Sequence, residues 1–284
     1  MQIETFYDEN TGTFTYLVID EETKKSAIID SVMDYDQFSA QASFGSADRV
    51  VQFIEQNKLH NQWILETHVH ADHMTAAHYL KGKVGGQIAM SVGIVKVLSL
   101  WVPKFETEND TPTDGSQFDR LFEDGDQFQI GNLNVTVWHT QGHTPACASY
   151  LLDGAIFAGD TLFAPTLGTA RCDFPGGSAK DLYRTIQRIY SLPEDTKVFL
   201  GHDYPATGQK PCSVVAVGHS KQTNILIKAD TPLQEFVDRR QARDATLAVP
   251  KLLLPAIQAN MRNGQFGAVS EKGQQFVKIP VSAI

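Results

Sequence analysis

Within six consecutive positions the chain places His68, His70, Asp72 and His73. Imidazole and carboxylate together ligate zinc, iron or manganese, and buried titratable groups at this density repel or desolvate one another unless a cation holds them. Three more candidates lie downstream: His143 in TQGHTPACASY, Asp160 in IFAGDTLF and His202 in VFLGHDYP. Each follows a glycine (Gly142, Gly159, Gly201), which lets backbone approach a site closely. One His or Asp at a strand end is ordinarily a satisfied polar group. The HVHADH cluster as a unit reads as a metal site, of the catalytic kind that keeps a position open for water or substrate. His60, His78, His139 and His219 lack such company and read as structural or surface groups.

The elements around these residues must bring them together. Alternation in TFTYLVID (13–20) and KSAIID (25–30) predicts paired strands. The polar stretch DYDQFSAQASFGS reads as a loop, and 46–57 as a helix with Ser46 as its N-cap. QWILET is a strand, and the HVHADH motif sits at its end, before the helical HMTAAHYLKG. QIAMS (87–91) predicts a strand, 93–101 a helix and 103–118 a long loop. DQFQIG, LNVTVWHT, ACASYLLD and GAIFAGD follow as short strands, with Gly131-Asn132 at a hairpin turn. The stretch 178–192 is a helix with Ser178 and Asp181 at capping-box spacing; KVFLGH is a further strand, and the chain from Ser213 is mostly helical. All seven candidates thus occupy strand-end loops that a common rim can gather. The layout predicts a mixed α/β protein, sheet on sheet with helices outside, rather than a doubly wound sheet.

A chain of 284 residues with 42% hydrophobic composition supports one large domain, or one domain with an appendage. A net charge of −9 disfavours nucleic acid and anionic membrane as partners. Cys147, Cys172 and Cys212 have no CxxC spacing, which argues against a disulfide scaffold and for a reducing compartment. The N-terminus has no signal-like region and no apolar run is long enough to span a bilayer, so the expectation is a cytoplasmic protein complete from residue 1.

HVHADH, GHT, GDTLF and GHDY, in that order and spacing, resemble the metallo-β-lactamase superfamily over about residues 10–210. The resemblance implies a four-layer αββα sandwich over 1–210, with 211–284 as a helical extension packed on the same domain. It implies a first metal site at His68, His70 and His143, a second at Asp72, His73 and His202, and Asp160 as the bridging aspartate. Within the superfamily, the run R-C-D-F-x-x-G-x-A-K-x-L-Y from Arg171, and ANMRNG at 259–264, resemble the persulfide dioxygenases (sulfur dioxygenases), relatives of glyoxalase II.

That resemblance implies one Fe(II) per chain on His68, His143 and Asp160, with His70, Asp72, His73 and His202 orienting ligands and water. The implied reaction oxidises glutathione persulfide with O2 to sulfite and glutathione, in a homodimer. The alternatives are a two-metal, zinc-using glyoxalase II-type thioesterase, and a metal- or persulfide-binding sensor on a borrowed fold. Coenzyme A and bacillithiol remain possible thiol carriers. Arg171 and Asp173 are expected to pair on the pocket wall, and Tyr204 to donate a hydrogen bond to the thiol's peptide part. Lys221 is a candidate for a glutathione carboxylate, beside the plainer reading of a solvated lysine. Cys172, next to Arg171, is a candidate low-pKa thiol, and Cys147 and Cys212 read as small packing residues.

Overall fold

A computed structural model of the protein describes residues 1–281. The chain opens with an antiparallel meander, β1 (Gln2–Asp8), β2 (Thr13–Asp20) and β3 (Lys25–Ile29). β2 is buried along its whole length because both faces meet a core. Leu17 and Ile19 point to one side, Phe14, Tyr16 and Val18 to the other. The polar stretch that follows is not an open loop but a short hairpin, β4 (Asp34–Asp36) and β5 (Gln41–Ser43). Asp36 stabilises its turn by accepting from Phe38 N–H and the Ser39 hydroxyl.

The hairpin also corrects the N-cap of α1 (Gly45–Gln56), which starts before Ser46. Asp34 takes that role from outside the helix, accepting from Ser46 N–H at 2.9 Å and the Ser46 hydroxyl at 2.7 Å. β6 (His60–Leu65), α2 (Ala77–Val84), β7 (Gln87–Ser91), α3 (Ile94–Phe105) and β8 (Arg120–Phe122) then extend the first sheet with parallel pairings from β3 onward. α3 runs into the expected loop, carrying Pro103 in its last turn, because Leu98, Val102 and Phe105 are all buried.

The second sheet contains β9 (Gln127–Ile130), β10 (Leu133–His139), β11 (Ala148–Leu152) and β12 (Ala155–Phe157). Gly131, at φ +58°, turns β9 into β10. Helix α4 (Ala179–Tyr190) is capped as expected, the Ser178 hydroxyl oxygen accepting Asp181 N–H at 3.2 Å. β13 (Lys197–Phe199) pairs in parallel with β12. Past residue 210 the chain still feeds this sheet: β14 (Val214–Ala216) forms its edge, a strand of three residues within a stretch that otherwise reads as helical. Helices α5 (Val217–Thr223), α6 (Leu233–Asp244) and α7 (Leu253–Asn260) complete the fold.

Three cores define four layers. Aromatic and aliphatic side chains from both sheets meet between them, with the Tyr16 ring 5.2 Å from Phe157 and 5.3 Å from Phe199. The outer face of the first sheet packs with α1, α2, α3 and α7, and that of the second with α4 and α6. The fold is therefore mixed α/β with two central sheets sandwiched between helices.

Candidate metal centre

The residues predicted to ligate metal meet at one edge of the sandwich. The segment between β6 and α2 supplies His68, His70, Asp72 and His73; the β10–β11 loop supplies His143; the 3₁₀ turn Gly159–Thr161 after β12 supplies Asp160; and the end of β13 leads into His202. The glycines before these residues have the role expected of them. A Cβ on Gly201 would lie 2.6 Å from Asp160 Oδ1, and one on Gly142, whose φ is +145°, would lie 2.4 Å from Leu182 Cα.

The predicted ligands fall into two groups of donors, and a third group, Asp30, Glu66 and His70, shares His70 with one of them. His68, His143 and Asp160 each bring a ligand atom within 4.8 Å of the others, both histidine Nε2 atoms standing 3.8 Å from Asp160 Oδ2. His70, Asp72, His73 and His202 form the second group. Asp160 Oδ1 lies 3.3 Å from His202 Nε2, so Asp160 faces both groups. His68 Nε2, His70 Nδ1, His73 Nε2 and Asp160 Oδ1 are buried without a hydrogen-bond partner. Orphaned buried polar atoms cost about 1–3 kcal/mol each. Four of them converging, as imidazole and carboxylate, fit a metal ion.

Outer contacts fix which atoms face inward. His143 Nδ1 donates to the Arg171 carbonyl at 2.6 Å, leaving the Nε2 lone pair for a metal. His68 Nδ1 is 3.0 Å from the Thr67 hydroxyl, which itself donates to Asp30. His70 Nε2 lies 3.2 Å from Asp30 Oδ1 and 3.1 Å from Glu66 Oε2, which turns Nδ1 toward the site. Burial works against a charge on His70, but the Asp30 and Glu66 carboxylates outweigh it and hold its pKa well above the ordinary value. Burial, then the neighbouring His70, pushes His68 well below the ordinary value and His73 down to about 4. Burial raises the Asp160 carboxyl. Asp30 and Glu66 were not among the sequence-derived candidates. Their signal was present, one acid ending KSAIID and the other beginning ETHVHADH. Asn260, also missed, bonds the backbone of the same loop.

A cavity of about 630 Å³ opens beside the centre, with Asp72, His143 and Asp160 in its lining and Phe163, Leu167, Phe174 and Leu252 among its walls. Arg171 and Asp173 form the expected pair, with Nε–Oδ1 at 2.6 Å and Nη2–Oδ2 at 2.7 Å. The Arg171 guanidinium also covers the Phe174 ring at 4.9 Å. Tyr204 lines the cavity, its ring parallel to that of His202. Lys221 does not line it: it sits on α5, and Arg243 and Lys251 join Arg171 and Arg240 as the cations there. Their sequence context, a polar helix and a Pro-Lys step, gave no sign of this. Cys172 is no activated thiol, because burial and the Asp244 carboxylate push its pKa up. Cys147 is buried, with its thiol pushed up to about 12, whereas Cys212 is exposed rather than packed.

An αββα sandwich with histidines and aspartates gathered at one sheet edge defines a class of metal-dependent enzymes. The chain belongs to the metallo-beta-lactamase superfamily, whose family model matches residues 9–202. It is 43% identical over 283 residues to the Dictyostelium discoideum protein "Glyoxylase B2", covering 99% of this chain and 97% of that one. It is 42% identical to a Burkholderia pseudomallei protein named a probable metallo-hydrolase, covering all of both chains. The human "Persulfide dioxygenase ETHE1, mitochondrial" is 29% identical over 92% of this chain and 88% of its own. Among solved structures, ETHE1 from Myxococcus xanthus superposes with a TM-score of 0.75 at 30% identity, over 93% of this chain and 100% of that one. Among the described residues no helix is long and apolar enough to cross a membrane.

Proposed function

We propose that the protein is a persulfide dioxygenase that converts glutathione persulfide and O2 to sulfite and glutathione at one Fe(II) held by His68, His143 and Asp160. The observation that carries this reading is that those three donors, two imidazoles and one carboxylate, meet as a group beside a cavity. That set is the facial triad of iron oxygenases, which leaves positions for both sulfur and O2. The name of the human relative and the R-C-D-F run, which sets Arg171 and Phe174 on the cavity wall, support it. Iron supplies the redox capacity that zinc lacks.

The chain's own residues bind and orient. The cavity takes the thiol carrier, with the terminal sulfur toward Asp160 and His143. Phe163 and Phe174 exclude bulk water. Arg171, locked on Asp173, holds the wall, and Tyr204 offers its hydroxyl to the carrier's peptide part. His70, Asp72, His73 and His202 orient the ligands and water. The outer sulfur gains both atoms of O2 and is oxidised as O2 is reduced. Water supplies the third oxygen, the S–S bond breaks, and the carrier leaves as a thiol with release of two protons. On this reading residues 211–284 are an extension on the same domain, and the protein works in the cytoplasm as a homodimer.

A second reading is a two-metal thioesterase of the glyoxalase II type. The His70, Asp72, His73 and His202 group, and the names of the relatives at 42–43% identity, favour it. Metal analysis with an oxygen electrode decides. The dioxygenase reading expects about one iron per chain and O2 uptake that requires a persulfide. Two zincs per chain with thioester hydrolysis and no O2 uptake would overturn it.

A further inference from the structure

The loop bearing Arg171 is gripped by helix α6. Arg240 is 1% and Asp244 6% exposed, rare burial for charged side chains. Arg240 Nε donates to Asp244 Oδ1 at 2.9 Å, with Nη2 against the same carboxylate, and each side chain reaches the loop with one further group. Arg240 Nη1 donates to the Thr169 carbonyl at 2.9 Å, and Asp244 Oδ2 accepts Cys172 N–H at 2.9 Å. Arg171 lies between these two anchored residues, and its carbonyl is the acceptor that sets the proton of His143 on Nδ1.

Helix α7 reaches the other ligand segment. Asn260 is 5% exposed, and its amide makes three hydrogen bonds there. Oδ1 accepts Thr75 N–H at 2.8 Å, while Nδ2 donates to the His70 carbonyl at 2.9 Å and the His73 carbonyl at 2.8 Å. Only an amide offers one acceptor and two donors in this arrangement. Asp72 sits between the two carbonyls so held.

We propose that α6 and α7 are positioning elements of the metal centre: Asp244 with Arg240 sets His143, and Asn260 sets the turn that carries His70, Asp72 and His73. The proposal rests on the reading of these residues as metal ligands, but not on the reaction, since it holds for one iron or for two zincs. Partners outside the ligand set typically change metal affinity about 10–100-fold when removed. A purely structural role predicts a different pattern, in which stability falls and affinity does not.

Titration of the metal-free full chain with Co(II), followed by its absorption spectrum, separates the two. Asp244→Asn and Asn260→Asp are each expected to weaken Co(II) binding about tenfold or more and to shift the spectrum of the bound ion. Tyr190→Phe removes a buried hydroxyl bonded to Ser220 and the Ile227 carbonyl. It is expected to lower Tm while leaving affinity and spectrum unchanged. Folded Asp244→Asn and Asn260→Asp proteins with parental affinity and spectrum overturn the proposal, however far their Tm falls. If Asp244→Asn does not fold, Arg240→Lys, which keeps the charge and loses the two-sided grip, is judged by the same readouts; Asn260→Ser stands in likewise for Asn260→Asp. A parent chain that takes up no Co(II) overturns the ligand assignment itself.

Discussion

Asp160 faces both donor groups, with Oδ2 toward His68 and His143 and Oδ1 toward His202. Removing it therefore takes a ligand from either arrangement. Asp160→Ala is expected to leave a folded chain without bound iron or O2 uptake; full iron content by elemental analysis would remove Asp160 from the ligand set. The histidines differ by environment rather than by type. His73, desolvated beside His70, has its pKa drawn down to about 4, while Asp30 and Glu66 hold His70 well above the ordinary value. Imidazole ¹⁵N shifts of the metal-free protein should then show His73 neutral from pH 7 to about 5 and His70 titrating above the ordinary imidazole range. The sign for stability follows. The unfolded His73 takes up its proton near pH 6.5 and the folded one only near 4, so its contribution turns against folding as pH falls through that window. The His70 contribution is opposite: present below pH 6.5 and lost as pH rises through its raised folded value. A His73 titration near 6.5 would reject the buried, metal-ready environment described for it.

At the scale of elements, α4 carries the β12–β13 crossover and backs the His143 loop, since Leu182 stands against Gly142 and the Ser178 N–H donates to the Gly142 carbonyl. Its N-terminal side-chain cap is Ser178. Ser178→Ala is expected to cost about 1 kcal/mol of unfolding free energy, read as a lower urea midpoint at unchanged slope. No change in the midpoint would mean that water satisfies Asp181 N–H equally well. This cap was legible in the sequence because it is local, a serine three residues before an aspartate at the head of an amphipathic run. The seven ligand candidates were legible for the same reason: four fall within the six residues HVHADH, and His143, Asp160 and His202 each follow a glycine at a strand end. What escaped was set by distant partners. Asp34 caps α1 across a hairpin too short to show as alternation, and Asp30 meets His70 only because β3 pairs with β6. Arg243 and Lys251 reach the cavity only through the packing of the C-terminal segment, while Lys221, the cation singled out from the sequence, does not line it.

Over the whole molecule, the ligands come from both halves of the sandwich. His68, His70, Asp72 and His73 follow the first sheet's β6, whereas His143, Asp160 and His202 follow β10, β12 and β13 of the second. An ion held between them links the two sheets in the folded state and has no such site in the unfolded chain. Binding to the folded state alone stabilises it by about 2.7 kcal/mol at a free metal concentration a hundred times Kd. In a domain of this size that corresponds to a rise in Tm of roughly 5 °C. Metal removal should not unfold the protein, because the inter-sheet packing of Tyr16, Phe157 and Phe199 does not involve the ligands. A chelator is thus expected to lower Tm by that amount while the far-ultraviolet circular dichroism stays the same, and added metal should restore it. The stoichiometry of the restoration carries the functional argument. If only His68, His143 and Asp160 bind, the rise in Tm on anaerobic addition of Fe(II) is complete at about one equivalent. If His70, Asp72, His73 and His202 hold a second ion, the rise continues to about two equivalents, and the two-metal thioesterase replaces the dioxygenase.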